Sequence, residues 1–184
     1  KSITWLTSRT ETLEVELPAD VKLELSSPDQ IEADLVSGRI QAYFGPHPPR
    51  PFIAGDPRVG RLFPDPKAEE ERYLREEGYF PIMHVVAYKQ ELAQRYPTLP
   101  RALYQLFARS RELARARWDD PNWSLLIWGR HELERQESLC GFDPWADGID
   151  ANRKNIERFA TYSHEQGLTS RRLGPEELFV SPDA

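Results

Sequence analysis

Residues 78–88 read GYFPIMHVVAY, and His84 stands at the centre of this apolar run. Histidine is the side chain best suited to proton transfer near neutral pH. Burying its polar ring costs free energy unless the ring finds a partner. His84 therefore either ties a ring nitrogen to a backbone carbonyl or faces a ligand. A second reactive stretch is GPHPPRPF at 45–52, which carries His47 and Arg50 on a proline-stiffened backbone. A guanidinium there can grip a carboxylate through two parallel hydrogen bonds; the plainer alternative is an exposed loop charge. Thr7 and Ser8 end the stretch ITWLTS. Their hydroxyls either donate to a carboxylate or form an ordinary polar strand end.

Two further motifs point away from metals. Asp143, Asp147 and Asp150 in GFDPWADGID lack the alternating oxygen ligands of an EF-hand loop, and Asp150 is better placed to cap a helix. RHELER at 130–135 superficially matches a zinc-protease helix, but Arg135 occupies the i+4 position from His131. It reads as a solvated helix face. The single cysteine, Cys140, excludes an intrachain disulfide and suits a reducing compartment, and CxxC and CxxH spacings are absent.

These residues need elements to hold them. Residues 3–6 and 21–25 read as strands, and 7–16 as loop. Ser27-Pro28-Asp29 opens a helix that Gly38 stops. Residues 40–44 then form a strand, so 21–44 is expected as a parallel, right-handed strand–helix–strand unit. The loop at 45–52 is too rich in proline for regular structure. Residues 59–63 read as a strand, 65–77 as a charged helix and 79–88 as a buried strand bounded by glycine and proline. Helices are expected over 89–96, 98–117, 121–139 and 150–167, with one further turn at 175–179. The arginines of the second of these, Arg101, Arg109, Arg111, Arg115 and Arg117, are expected on a solvated face with local ion pairs. The order predicts α/β architecture followed by helices that cover something else.

Composition sets bounds. The 184 residues are 39% hydrophobic with net charge −6. The mean hydropathy is −0.65 and the pI about 5.3. An acidic chain without a basic face argues against a nucleic-acid partner. No apolar run approaches the roughly 20 residues that span a bilayer. The opening KSITWLTS carries no initiator methionine or signal peptide and enters strand-like sequence directly, which reads as a piece of a longer chain.

Four stretches together resemble the 4,5-dihydroxyphthalate decarboxylase family: RLFPD (61–65), GYFPIMHVVAY (78–88), GFDPWADGIDANRKNIERFATYSHEQGL (141–168) and EELF (176–179). The resemblance runs in order along the chain and implies a type II periplasmic-binding-protein-like fold, present in part. Residues 1–78 would be its second α/β lobe, 79–88 a crossing strand between lobes, and 89–184 helices packing on the first lobe. It also implies decarboxylation of a hydroxylated aromatic acid such as 4,5-dihydroxyphthalate, giving protocatechuate and CO2, with His84 as the proton-transfer group. Thr7, Ser8, His47 and Arg50 would hold the substrate's carboxylates, and no cofactor or metal is required. Three stretches depart from the family's pattern. Thr7-Ser8-Arg9 replaces Thr-Gly-Gly, His47 and Arg50 stand at the arginine and serine of Pro-Arg-x-Pro-Ser, and Trp145-Ala146-Asp147-Gly148 replaces Trp-Pro-Tyr-Gly. The alternative within the same fold group is the solute-binding protein of an ABC-type importer. The enzyme would be cytoplasmic, and the binder periplasmic or on the cell surface. Self-association is left open.

Overall fold

A computed structural model describes residues 3–9, 17, 19–120 and 122–181. They form a helix-rich α/β arrangement with a sheet of two parallel strands. The chain divides into two units, Lys1–Pro66 and Lys67–Ala184.

In the first unit β1 (Thr4–Thr7) pairs in parallel with β2 (Lys22–Leu25), Thr4 opposite Lys22 and Thr7 opposite Leu25. Both strands lie within one residue of their expected places. The crossover between them, expected as loop, lies largely outside the described residues. Helix α1 (Pro28–Ser37) follows the local rules that its sequence carries. The Ser27 hydroxyl accepts from the Gln30 backbone N–H at 3.1 Å, and Pro28 occupies the first turn, where no N–H is needed. Gly38, at φ 77°, ends the helix in the left-handed conformation that suits glycine. Ile31 and Asp34 are its buried residues. Gln30 Nε2 donates to Asp34 Oδ1 at 2.7 Å, and Arg39 pairs with the same carboxylate at 3.2 Å.

Three expectations for this unit fail. Residues 40–44 form no strand: the Gln41 amide folds back on the carbonyls of Gly38 and Arg39, both at 3.2 Å. Residues 59–63 form none either. Asp56 turns the chain there, accepting from the Arg58 backbone N–H at 3.0 Å, while Val59 N–H donates to the Asp56 carbonyl at 3.1 Å. The parallel partner of β2 is therefore β1, and the unit expected over 21–44 does not close. The proline-rich loop is partly regular: Arg50–Ile53 makes one helical turn, α2, with Pro51 in its first turn. Proline is tolerated there because that N–H would have no partner anyway.

The second unit is helical. It contains α3 (Pro66–Glu77, whose Pro66 closes the first unit), α4 (Gln90–Arg95), α5 (Leu99–Ala116), a 3-10 turn at Arg117–Asp119, α6 (Gly129–Cys140), α7 (Ile149–Glu165) and α8 (Pro175–Leu178). Helix α6 begins eight residues later than expected. Residues 122–128 are held in turns instead, where Asn122 N–H donates to Asp120 Oδ1 at 2.9 Å and Leu126 N–H to Ser124 Oγ at 3.3 Å. Short polar side chains of this kind compete with helix for the backbone. Asp150 does not cap α7; it lies in the first turn and pairs with Arg153 at 3.2 Å, and Gly148 is the capping residue. The arginines of α5 do make ion pairs: Arg109 with Glu112 at 2.9 Å, Arg111 with Asp147 at 2.9 Å, and Arg115 with Glu137.

The largest correction concerns 79–88. Only Tyr79 is buried, and His84 is exposed. The segment has no regular secondary structure, and among the described residues it makes no backbone–backbone hydrogen bond. A strand needs a neighbour to fill its ladder, and the described residues of its own unit supply none.

Candidate functional site

The second unit holds a groove of about 490 Å³, within the range of small-molecule sites. Its lining comes from segment 80–88, Pro100, Tyr104 and Phe107 of α5, the corner 144–149, Asn152 and Ile156 of α7, and Phe179 and Val180. His84 lies in this lining.

The entry to segment 80–88 is pinned by α7. Gly78 ends α3 at φ 69°. Helix α7 then presents Lys154, Asn155 and Arg158, three and four apart and so on one face. Asn155 Nδ2 donates to the Phe80 carbonyl at 2.7 Å, Arg158 Nη2 donates to Glu77 Oε2 at 3.0 Å, and Lys154 Nζ donates to the Glu77 carbonyl. Nearby, the hydroxyls of Tyr73 and Tyr79 lie 3.1 Å apart with their rings edge to face. Burial, with a smaller contribution from that hydrogen bond, pushes the Tyr79 phenol up to about 12. The neighbouring Glu77 carboxylate raises the affinity of Arg158 for its proton.

The opposite wall is a corner locked by side chains. Asn152 Nδ2 donates to the carbonyls of Ala146 at 2.7 Å and Gly148 at 3.0 Å. Arg111 Nη1 donates to Asp147 Oδ2 at 2.9 Å and to the Trp145 carbonyl. The Phe80 and Trp145 rings pack against each other at a tilt of 52°, with centroids 5.5 Å apart, so both contribute aromatic surface to the lining. Among the described residues, the titratable lining groups are His84, Tyr88, Tyr104 and Asp147, and no lysine or arginine belongs to the lining. This arrangement can take an aromatic ring, move a proton and accept a hydrogen bond. It offers no fixed cation for a carboxylate.

The other expected site residues belong to the first unit, and none lines this groove. Thr7 and Ser8 stand at the carboxyl end of β1, with Thr7 Oγ1 donating to the Arg9 carbonyl at 3.1 Å. His47 is exposed. Arg50 is engaged by α1: its backbone N–H donates to Glu32 Oε1 at 2.9 Å, its Nε to Glu32 Oε2 at 2.6 Å, and its Nη2 to Asp29. Those contacts, the backbone one first, hold the Glu32 carboxyl below its ordinary range and raise Arg50.

In RHELER, Glu132 accepts from Arg135 at 2.8 Å and from Lys67 at 2.9 Å, which lowers its carboxyl to about 2. Among the described residues no three histidine, cysteine or acidic side chains converge on a metal position. Reading the sequence for reactive motifs missed Tyr104, Asp147 and Asn152 as groove residues. Asn152 carried one usable signal: a side-chain amide in the first turns of a helix entered through glycine can reach back to the preceding carbonyls.

No family model matches the chain. Two curated relatives do, both named 4,5-dihydroxyphthalate decarboxylase. The protein from Comamonas testosteroni is 34% identical over 176 residues, covering 94% of this chain and 53% of the relative. The protein from Pseudomonas putida is 32% identical over 84 residues, 42% of this chain and 33% of the relative. The chain thus spans about half the length of the first of them. Along almost all of its own length, the chain resembles the 4,5-dihydroxyphthalate decarboxylase family.

Proposed function

We propose that the protein is a decarboxylase of hydroxylated aromatic acids, with 4,5-dihydroxyphthalate or a close analogue as substrate. The observation that carries the reading is the resemblance over 94% of the chain, and the aromatic groove containing His84 supports it. The fold proposed with it is type II periplasmic-binding-protein-like, with residues 1–78 as one lobe, 79–88 as a crossing and 89–184 as the remaining helices.

The chemistry asks for little. A proton must reach the ring carbon that carries the departing carboxylate. The dearomatised intermediate must then be stabilised, which the hydroxyl para to that carboxylate does by giving up its proton in part. C–C cleavage releases CO2, and its electron pair restores the aromatic ring. His84 supplies the proton as a general acid. Phe80, Tyr104 and Trp145 offer faces to the ring. Thr7, Ser8, His47 and Arg50 are the groups the resemblance offers for the carboxylates.

The test is CO2 release from a panel of hydroxylated aromatic acids by the purified protein and by His84→Ala. Loss of a general acid costs roughly 10²–10⁴ in rate, whereas removal of an exposed side chain costs at most about 0.5 kcal/mol of stability. No CO2 from any panel member, with tight binding retained, would leave a solute-binding protein in place of the enzyme. Activity and stability falling in step would return His84 to a structural role.

A further inference from the structure

We infer that Asp147 selects the substrate of this groove by reading ring hydroxyls. It accepts a hydrogen bond from a phenolic O–H and turns a ring carboxylate away from its side of the groove. The inference rests on the groove being the aromatic-acid site proposed above.

Among the described residues, Asp147 is the sole carboxylate of the lining. Its position is fixed from both sides. Arg111 Nη1 donates to its Oδ2 at 2.9 Å and also to the Trp145 carbonyl two residues earlier. Asn152 holds the carbonyls of Ala146 and Gly148, its two chain neighbours, at 2.7 and 3.0 Å. A carboxylate offers about four lone-pair sites, and Arg111 takes one of them. Its side chain is 38% exposed, so the remainder is open to a ligand. A phenol satisfies such an acceptor through a charge-assisted bond. Arg111 offsets part of the Asp147 charge, but it is already engaged, and among the described lining residues no lysine or arginine gives a second carboxylate a partner.

The selected class is therefore an aromatic acid with hydroxyls on one edge and carboxylates on the other, seated hydroxyl edge to Asp147. That orientation places the hydrogen bond on an oxygen conjugated with the ring. Where the bonded hydroxyl is para to the departing carboxylate, it favours protonation at that carbon.

The experiment is calorimetric binding of 4,5-dihydroxyphthalate and of unhydroxylated phthalate to the purified protein, Asp147→Asn and Asp147→Ala, with CO2 release measured alongside. Asparagine keeps the size and an acceptor for Arg111, so folding is preserved. The wild-type protein is expected to prefer the hydroxylated probe by tenfold or more. Both variants should lose most of that preference, roughly a tenfold to hundredfold change for a hydrogen bond to a charged group. A preference that survives in both variants overturns the inference, as does a wild-type protein that binds neither probe or binds both equally. A preference that vanishes as expected, in a protein that releases no CO2, supports the inference and sinks the decarboxylase reading alone.

Discussion

The amide of Asn155 holds the start of the segment that carries His84, and its removal has a calculable cost. Asn155 is only 7% exposed, and its Nδ2 donates to the Phe80 carbonyl at 2.7 Å. A hydrogen bond of this kind contributes about 0.5–1.5 kcal/mol net, and stranding a buried partner costs about 1–3 kcal/mol. Phe80 itself is 40% exposed, so water can reach its carbonyl once the amide is gone. The lower half of that range applies, and Asn155→Ala should destabilise the second unit by about 1–2 kcal/mol. With a urea slope of about 2 kcal/mol/M, the unfolding midpoint falls by roughly 0.5–1 M. Asn155→Asp separates the hydrogen bond from packing. It preserves volume but turns lone pairs toward the carbonyl, so its loss should equal or exceed that of alanine. Trp145, packed against Phe80, reports the transition by fluorescence, with circular dichroism following the helices. If Asn155→Asp unfolds within about 0.5 kcal/mol of wild type, as an indifferent surface change would, the amide holds nothing. The pairing of Glu77 with Lys154 and Arg158 would then anchor the segment unaided.

Two other perturbations follow from the same contacts. Arg50→Ala removes exposed ion pairs to Asp29 and Glu32, so stability should barely change. Affinity for a diacid, measured by calorimetry, should fall, and an unchanged affinity would take Arg50 out of the binding role. Tyr79 gives a pH signature: its folded phenol titrates near 12 against an ordinary 10 because burial holds the proton on. The stabilisation is fully present below pH 10 and is lost as the pH rises toward 12. Tyr79→Phe cannot ionise there, so the wild-type advantage in thermal melts should shrink between pH 9 and 11.5. A constant difference would show that the phenol ionises equally well folded and unfolded.

What could be read in advance was what short-range chemistry decides. Ser27, Pro28 and Gly38 bound α1 by contacts within four residues, and each stands where its type predicts. Strands 40–44, 59–63 and 79–88 share the opposite property. Their composition favours extension, but a strand is completed by a partner elsewhere in the chain, and composition does not name that partner. Beside 40–44 the Gln41 side chain donates to the Gly38 and Arg39 carbonyls, and before 59–63 Asp56 accepts from the backbone N–H groups of Arg58 and Val59, so local turns form instead. The groove was illegible for a related reason. Phe80, Tyr104 and Trp145 are far apart in sequence and meet through contacts such as Asn155 to Phe80 and Arg111 to Asp147, which no periodicity encodes. His84 stands out by its type, by its place in an apolar run and by the family resemblance, none of which shows its groove. Asp147 was weighed as a metal ligand, because neither Arg111 nor the aromatic wall was in view.

Segment 80–88 also bears on behaviour in concentrated solution. It displays exposed apolar side chains, among them Met83 and Val85, and among the described residues its backbone makes no backbone–backbone hydrogen bond. An exposed apolar stretch with unfilled backbone groups invites intermolecular β-pairing and aggregation. Two residues stand against it. Pro81 deletes one donor near the start, and His84 is the single polar side chain between Phe80 and Tyr88. His84→Ala therefore removes a gatekeeper together with the proposed proton donor, whereas His84→Gln keeps the run interrupted and separates lost chemistry from lost solubility.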